Sequence, residues 1–165
     1  MSDFGEHEIK NLIWSARMKA TQSRVDVVYA LSQEIQPVSV AALYENLKKI
    51  LALEYQAESK VVPAEPGPAT IYRTLETLVD AGIVHKIDVG KDRSHYELAV
   101  GRTHHHHAIC SDCGLVEDIP SCQAQSLHIQ AHQYLEKFSF INKHSLEFFG
   151  VCKKCAKTAT NVQNI

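Results

Sequence analysis

The chain of 165 residues has no long hydrophobic run, and this absence excludes a membrane-spanning helix. Crossing a bilayer takes about 20 consecutive apolar residues, and polar side chains interrupt every apolar stretch here before that length. Residues 1–10 are also too polar for a signal peptide. We therefore expect a cytoplasmic protein with no membrane partner, in which cysteine thiols stay reduced.

A large net charge is also missing. The formal net charge is −2 at pH 7, and residues 1–103 hold slightly more acidic than basic side chains. A global positive field that attracts nucleic acid is therefore excluded. Any DNA contact must use a local basic patch together with dimerisation. Residues 9–25 offer such a patch, because they include four basic side chains and no acidic one.

The signatures of a metal-dependent hydrolase are absent as well. The chain has no His-Glu-x-x-His motif. A zinc-dependent hydrolase using clustered histidines with Glu97 and Asp118 is therefore a less favoured alternative. A metal-storage protein is another alternative, since a run of histidines alone would suffice for it. We expect neither enzymatic activity nor an organic cofactor.

Two Cys-x-x-Cys pairs are the first positive feature, at Cys110 and Cys113 and at Cys152 and Cys155. In a reducing compartment such pairs favour metal over disulfides. Each pair can chelate from one turn while a tetrahedral Zn²⁺ joins two distant strands. The spacing predicts a structural zinc site that has no open position for a substrate. The fifth cysteine, Cys122, is interpreted as a small residue at a helix start, with a further ligand or a redox switch as alternatives.

Four consecutive histidines, residues 104–107, stand just before the first cysteine pair. Alternate side chains of an extended segment point to opposite sides. His104 and His106 should therefore face one way, and His105 and His107 the other. The run predicts two ligands for each of two separate metal sites, in addition to the cysteine site.

Hydrophobic periodicity predicts three helices in the first third of the chain. The first covers about residues 8–18, the second begins after Thr21 and ends by Pro37, and the third is capped by Ser39. Residues 54–68 contain three of the five prolines and are predicted to be a loop.

A fourth helix is predicted over residues 69–81, entered through Pro68 and closed by Gly82. Its non-apolar face carries Thr70, Tyr72, Arg73, Thr74 and Thr77. Such a face suits a major-groove recognition helix, although an ordinary solvated face is the alternative.

Two alternating segments follow, residues 83–89 and 94–98, and predict a β-hairpin. Together with the preceding helices, the hairpin favours a winged helix-turn-helix. The predicted fold is α+β, with a DNA-binding domain over residues 1–99, a hinge at 100–103 and a small α/β dimerisation domain over 104–165. In the latter we predict strands at 107–110, 115–119, 138–142 and 145–149, a helix at 122–137 and a polar tail. About sixty residues build little core alone, so zinc and a partner subunit would both stabilise it.

Three segments carry a family resemblance, namely PATIYRTLETLVDAGIVHK, HHHHAICSDCG and KHSLEFFGVCKKC. Over about residues 18–157 the chain resembles the ferric uptake regulator family. The resemblance implies a homodimeric winged-helix repressor that binds palindromic double-stranded DNA operators in response to metal. It also implies that four residues contact DNA: Lys19, Thr70, Tyr72 and Arg73.

The same resemblance implies the ligands of two metal sites besides the cysteine site. The regulatory site, for Fe²⁺ or Zn²⁺, would use Glu97, His105, His107 and Asp118. A second site in the dimerisation domain would use His104, His106, His128 and His144. Many members place a histidine just before the third helix, where this chain has Pro37. His85 is therefore added to the regulatory set, with His95 as another candidate, and a peroxide-sensing repressor is the alternative within the family.

Overall fold

The computed structural model describes residues 4–58, 66–90, 93–101, 103–120, 124–141 and 144–162. Within these ranges, residues 54–58, 124–125 and 159–162 are described by their backbone alone. The chain divides into two compact units, Met1–Arg102 and Thr103–Ile165. No helix within the described ranges is long and apolar enough to cross a membrane. Cys122 lies outside the described residues.

The described residues of the first unit form four helices: α1 Glu6–Ser15, α2 Gln22–Ser32, α3 Val40–Glu58 and α4 Pro68–Asp80. Ser39 caps α3 as predicted, because its Oγ accepts a hydrogen bond of 3.2 Å from the amide of Ala42. The prediction of a loop from residue 54 was wrong in its first part, since α3 continues to Glu58. Residues 59–65 of that loop lie outside the described residues.

One hydrophobic core holds the helices of the first unit together. Ile9, Ile13, Leu43, Leu75 and Leu78 are each fully buried in it. Helix α4 ends in a Schellman motif, in which the amide of Gly82 bonds to Val79 and that of Ile83 to Leu78, each at 2.9 Å. The motif needs a left-handed residue, and Gly82 provides it with a φ of 71°.

The first unit also contains a three-stranded antiparallel sheet. Its strands are β1 Val38–Ser39, β2 Val84–Asp88 and β3 Ser94–Leu98, in the order β1-β3-β2. The predicted hairpin is confirmed, and His85 lies opposite Glu97 in its register. Strand β1 was not predicted, because two residues show no alternation and its pairing partner is more than fifty residues away.

The second unit contains β4 His106–Cys110, β5 Val116–Ile119, α5 Ala124–His132, β6 Glu147–Gly150 and α6 Lys153–Val162. Strand β4 is central, antiparallel to β5 and parallel to β6. This sheet with its helices gives the predicted α/β arrangement, in which β6 is an edge strand.

Three details of the second unit differ from the prediction. Helix α5 ends at His132 rather than at residue 137. Residues 138–141 form no strand, because Phe138 and Phe140 alternate but have no strand beside them and remain exposed. The predicted polar tail forms α6, whose polarity hid its helical periodicity.

Candidate metal centres and DNA-binding face

Two turns bring the four cysteines of the Cys-x-x-Cys pairs together. Cys110 ends β4, Cys113 lies in the following turn, Cys152 follows β6 and Cys155 lies in the first turn of α6. Their Sγ atoms all lie within 4.8 Å of one another, with 3.8 Å between those of Cys113 and Cys152. A tetrahedral zinc with Zn–S bonds of 2.3 Å would give S···S edges of about 3.8 Å. The donor set therefore fits a four-thiolate zinc site.

The surroundings of the cysteines favour thiolate formation at one of them. Hydrogen bonds from the backbone of Cys113 and Cys152 lower the pKa of Cys110 to about 6. Cys155 behaves in the opposite way, because its hydrogen bonds to the other thiols, first of all Cys152, raise its pKa to about 12. A divalent cation at the centre would stabilise all four thiolates together.

The histidine run divides between the two faces of the second unit's sheet. On one face, the Nε2 atom of His144 lies 3.0 Å from that of His104 and 3.2 Å from that of His106. Zn–N bonds of 2.0–2.1 Å would give N···N edges of about 3.3–3.4 Å in a tetrahedron. These three imidazoles can therefore share one metal ion.

His128 contacts His144 on the side of the ring that faces away from His104 and His106. Its Nε2 atom lies 3.0 Å from Nδ1 of His144, the ring nitrogen opposite to the one that faces His104 and His106. It is not part of the group of three ligand atoms. Burial lowers the pKa of both His106 and His144, and the charge of neighbouring histidines lowers it further. The neutral imidazole, which can bind metal, is therefore favoured at both positions.

His105, His107 and Asp118 form a second group on the other side of β4. Their ligand atoms lie within 4.8 Å of one another, and Nε2 of His107 is 3.8 Å from Oδ1 of Asp118. The sheet register explains this, because His107 of β4 lies directly opposite Asp118 of β5. His105 Nδ1 is hydrogen-bonded to the carbonyl of Thr103 at 2.8 Å, which orients its ring. Two imidazoles and a carboxylate suit Fe²⁺ or Zn²⁺.

Glu97 and His85 form a pair in the first unit. Glu97 is 3% exposed, and its Oε1 lies 3.7 Å from Nδ1 of His85, which sits opposite it on β2. His95 lies on the same face of β3, with a buried Nδ1 atom that has no hydrogen-bond partner among the described residues. Burial lowers the pKa of His95, and the positive charge of Arg93 lowers it further, so the neutral form is favoured. A buried carboxylate beside an imidazole supplies donors that can bind a cation.

The exposed face of α4 carries the residues predicted to contact DNA. Thr70, Tyr72 and Arg73 are exposed there, and Lys19 is exposed in the segment between α1 and α2. Thr74 was wrongly assigned to this face, because its side chain turns toward the core and is buried.

The sequence reasoning also missed an acidic residue on this face. Glu76 is exposed one turn after Tyr72 and accepts a hydrogen bond of 2.8 Å from Lys86 of β2. Helical periodicity from Tyr72 would have placed Glu76 on the same face. No sequence signal would have identified Lys86 as its partner.

Comparison with known proteins identifies the family. Residues 15–149 match the model of the ferric uptake regulator family. The chain is 34% identical to the ferric uptake regulation protein of Bacillus subtilis over 148 residues, which are 81% of this chain and 95% of that protein. The chain belongs to the ferric uptake regulator family. It is also 30% identical over 155 residues to a peroxide-responsive repressor of Staphylococcus aureus, covering 91% of this chain and 93% of that protein.

Solved structures of the family share this fold. The ferric uptake regulator of Vibrio cholerae is 28% identical with a TM-score of 0.58, covering 87% of this chain and 98% of that one. The manganese-containing regulator of Pseudomonas aeruginosa is 25% identical with a TM-score of 0.61, covering 88% and 98%. Family membership confirms the predicted fold class and the prediction of a metal-responsive transcription regulator rather than an enzyme.

Proposed function

We propose that this protein is a cytoplasmic, metal-dependent repressor that binds palindromic operator DNA as a homodimer. The observation that carries the proposal is the division of the histidine run between the two faces of β4. His104 and His106 join His144 on one face, and His105 and His107 join Asp118 on the other. The histidine run thus contributes to two separate groups of candidate metal ligands, beside a four-thiol group.

His105, His107 and Asp118 form the regulatory half-site of the second unit in this proposal. Glu97 and His85 supply the remaining ligands from the first unit, and only seven residues separate Glu97 from His105 in the chain. Ligands from both units that share one Fe²⁺ or Zn²⁺ ion restrict the movement of the hinge at residues 100–103. The two recognition helices of a dimer are then held at the spacing that successive major grooves require.

The four cysteines have a structural role in the proposal. Four thiolates fill the tetrahedral coordination of Zn²⁺, so no position is left for exchange or chemistry. Binding there joins the turn after β4 to the start of α6, two parts of the chain about forty residues apart.

The third group binds a metal ion through nitrogen donors. His104, His106 and His144 supply the ligands, and His128 orients His144. If Nε2 of His144 binds the ion, its Nδ1 must carry a proton, which it donates to Nε2 of His128. Because the three ligands are neutral, borderline metals such as Zn²⁺ suit this group better than hard cations.

Homodimerisation is supported by the surface of the second unit. Edge strand β6 exposes Phe148 and Phe149, and Leu146 and Val151 continue the apolar surface on either side of it. An exposed apolar edge strand is a ready surface for pairing with another copy of itself. A symmetric partner would also place two recognition helices on a palindrome.

A DNA-binding titration tests the proposed function. Duplexes are selected from a random-sequence pool with the wild-type protein, and affinity is measured while Fe²⁺, Zn²⁺, Mn²⁺ or Ni²⁺ is added to dialysed protein. At least one metal should increase affinity by at least about tenfold. If none of the four changes affinity, the regulatory proposal fails.

Arg73→Ala separates this function from simple metal storage. Arg73 is exposed on α4 and lies outside every metal group described above. The variant should lose DNA binding while it retains the metal content of the wild-type protein. Equal DNA binding by the variant would contradict the assignment of this helix face.

A peroxide-sensing repressor is a second candidate. It is favoured by the 30% identity to the S. aureus peroxide-responsive repressor over most of both chains. Treating the Fe²⁺-loaded protein with hydrogen peroxide should then release DNA and oxidise His105 or His107, as peptide mass spectrometry would show. Zn²⁺-loaded protein is the matched control, and loss of DNA binding in both forms would contradict this candidate.

A further inference from the structure

The exposed face of α4 presents a carboxylate where DNA is expected to lie. Glu76 follows Tyr72 by four residues and Arg73 by three, so all three side chains share one helix face. Acidic side chains repel phosphate oxygens, which makes an unneutralised Glu76 unfavourable for the proposed DNA binding.

Two residues of the hairpin contact this carboxylate. Nζ of Lys86 lies 2.8 Å from Oε1 of Glu76, and the hydroxyl of Tyr96 lies 3.5 Å from the same oxygen. Lys86 and Tyr96 are directly opposite each other on β2 and β3. The hydrogen bond to Glu76 raises the pKa of Lys86, so the lysine stays charged.

The pair of Lys86 with Glu76 differs from an ordinary surface ion pair, because a core residue also contacts Glu76. Exposed pairs contribute little to stability, and the side chains of Lys86 and Glu76 are 40% and 51% exposed. Tyr96, however, is 1% exposed and anchored in the core of the first unit. The contacts therefore join the recognition face of α4 to a rigid position on the hairpin.

We propose that Lys86 neutralises Glu76 on the recognition face of α4 and, with Tyr96, holds that carboxylate against the hairpin rather than toward DNA. Lys86 is then a positioning residue for DNA binding and does not itself contact phosphate. The inference rests on the proposed function, because neutralising Glu76 matters only if this face approaches DNA. It accounts for a glutamate directly beside the residues predicted to contact DNA.

A double-variant experiment tests the inference with full-length, metal-loaded protein and the duplex selected by the wild type. Lys86→Ala exposes the Glu76 charge, and we expect affinity to fall about tenfold for a dimer with two such faces. Glu76→Gln should bind at least as tightly as the wild type. The combination Lys86→Ala with Glu76→Gln should return to within about twofold of Glu76→Gln alone, because no charge remains to be neutralised.

Two further variants serve as controls. Lys86→Arg keeps the positive charge and should bind as the wild type does. Lys48→Ala removes a lysine of similar exposure, 39%, that pairs with Glu45 on α3 at 3.7 Å. It should leave DNA affinity unchanged, since that pair lies on neither α4 nor the hairpin. Thermal unfolding of each variant confirms that the fold is retained.

The result that overturns the inference is a double variant whose affinity stays closer to that of Lys86→Ala than to that of Glu76→Gln. Lys86 would then contact phosphate directly, and removing Glu76 could not compensate for its loss. Wild-type affinity in Lys86→Ala would also overturn it. Failure of the wild-type protein to select any duplex would instead contradict the proposed function.

Discussion

The two units of this protein differ in what holds each of them together. The first unit buries a continuous core that includes Ile13, Leu43, Leu75 and Tyr96. Among the described side chains of the second unit, the buried hydrophobic residues are Ile109, Cys110 and Val116. Among the side chains that the structure describes, the second unit exposes ten large hydrophobic ones, whereas the first exposes four.

This difference indicates two sources of stability in one chain. The first unit has enough buried apolar surface to fold through the hydrophobic effect. The second has little, so its stability must come from metal ligation and from a partner that covers its apolar surface.

Loss of the cysteine site should have the largest effect. Cys113→Ser removes one thiolate from a site type whose apparent zinc-binding free energy is about 10–16 kcal/mol. We expect the second unit to unfold while the first stays folded, as hydrogen exchange resolved by peptide would show. Cys122→Ser is the matched control, since Cys122 belongs to neither Cys-x-x-Cys pair. If the second unit stayed fully protected from hydrogen exchange in Cys113→Ser, its stability would not depend on the cysteine site.

A core substitution should destabilise the first unit alone. Leu75 is fully buried, and Leu75→Ala should lower the free energy of unfolding of that unit by about 3 kcal/mol in urea. Leu53→Ala is the control, because Leu53 is 68% exposed and its loss should cost less than about 0.5 kcal/mol. The zinc content should be unchanged in both variants. A loss of zinc in Leu75→Ala would mean that the two units do not fold independently.

A charge on the edge strand should weaken the dimer. Phe149→Glu introduces two carboxylates into the proposed symmetric interface, and we expect the dimer dissociation constant to rise about 100-fold. Analytical ultracentrifugation over a range of concentrations measures the change. Ile35→Glu, which alters an exposed apolar residue of the first unit, should leave the dimer intact. An unchanged dimer dissociation constant in Phe149→Glu would show that β6 is not part of the interface.

Neighbouring histidines of β4 should differ in their effect on DNA binding. His107→Ala removes a regulatory ligand and should abolish the metal-induced gain in DNA affinity, which we expect to be at least about tenfold. His106→Ala removes a ligand from the other face and should retain most of that gain. Fluorescence anisotropy with a labelled duplex measures both. If both variants lost the same part of the metal-induced gain in DNA affinity, the two faces of β4 would not have separate roles.

The smallest expected effect concerns His128. His128→Ala removes the acceptor behind His144 and should weaken Zn²⁺ binding at the His104–His106–His144 group by about tenfold. The measurement is best made by calorimetry in a His107→Ala background, where the regulatory group is inactive. His128→Gln, which can still accept a hydrogen bond, should lose less. A complete loss in both variants would indicate that His128 is itself a ligand.

Sequence reasoning reached the parts of this structure that follow from local patterns. The hairpin, the cap at Ser39 and the convergence of His104 with His106 all follow from periodicity or backbone geometry. The parts it missed depend on contacts between distant segments. Strand β1 exists only through its pairing with β3, and the pairing of Glu76 with Lys86 needs the packing of α4 against the hairpin.

The most direct test of the whole account is a stoichiometric titration of wild-type protein that retains its cysteine-bound zinc. Regulatory metal is added in steps, past the two equivalents per protomer that the two histidine groups can bind, while affinity for the selected duplex is followed. The account predicts that affinity rises by at least about tenfold and levels off by two equivalents, because the His104–His106–His144 group also binds metal. Affinity that is already maximal before any metal is added would contradict it.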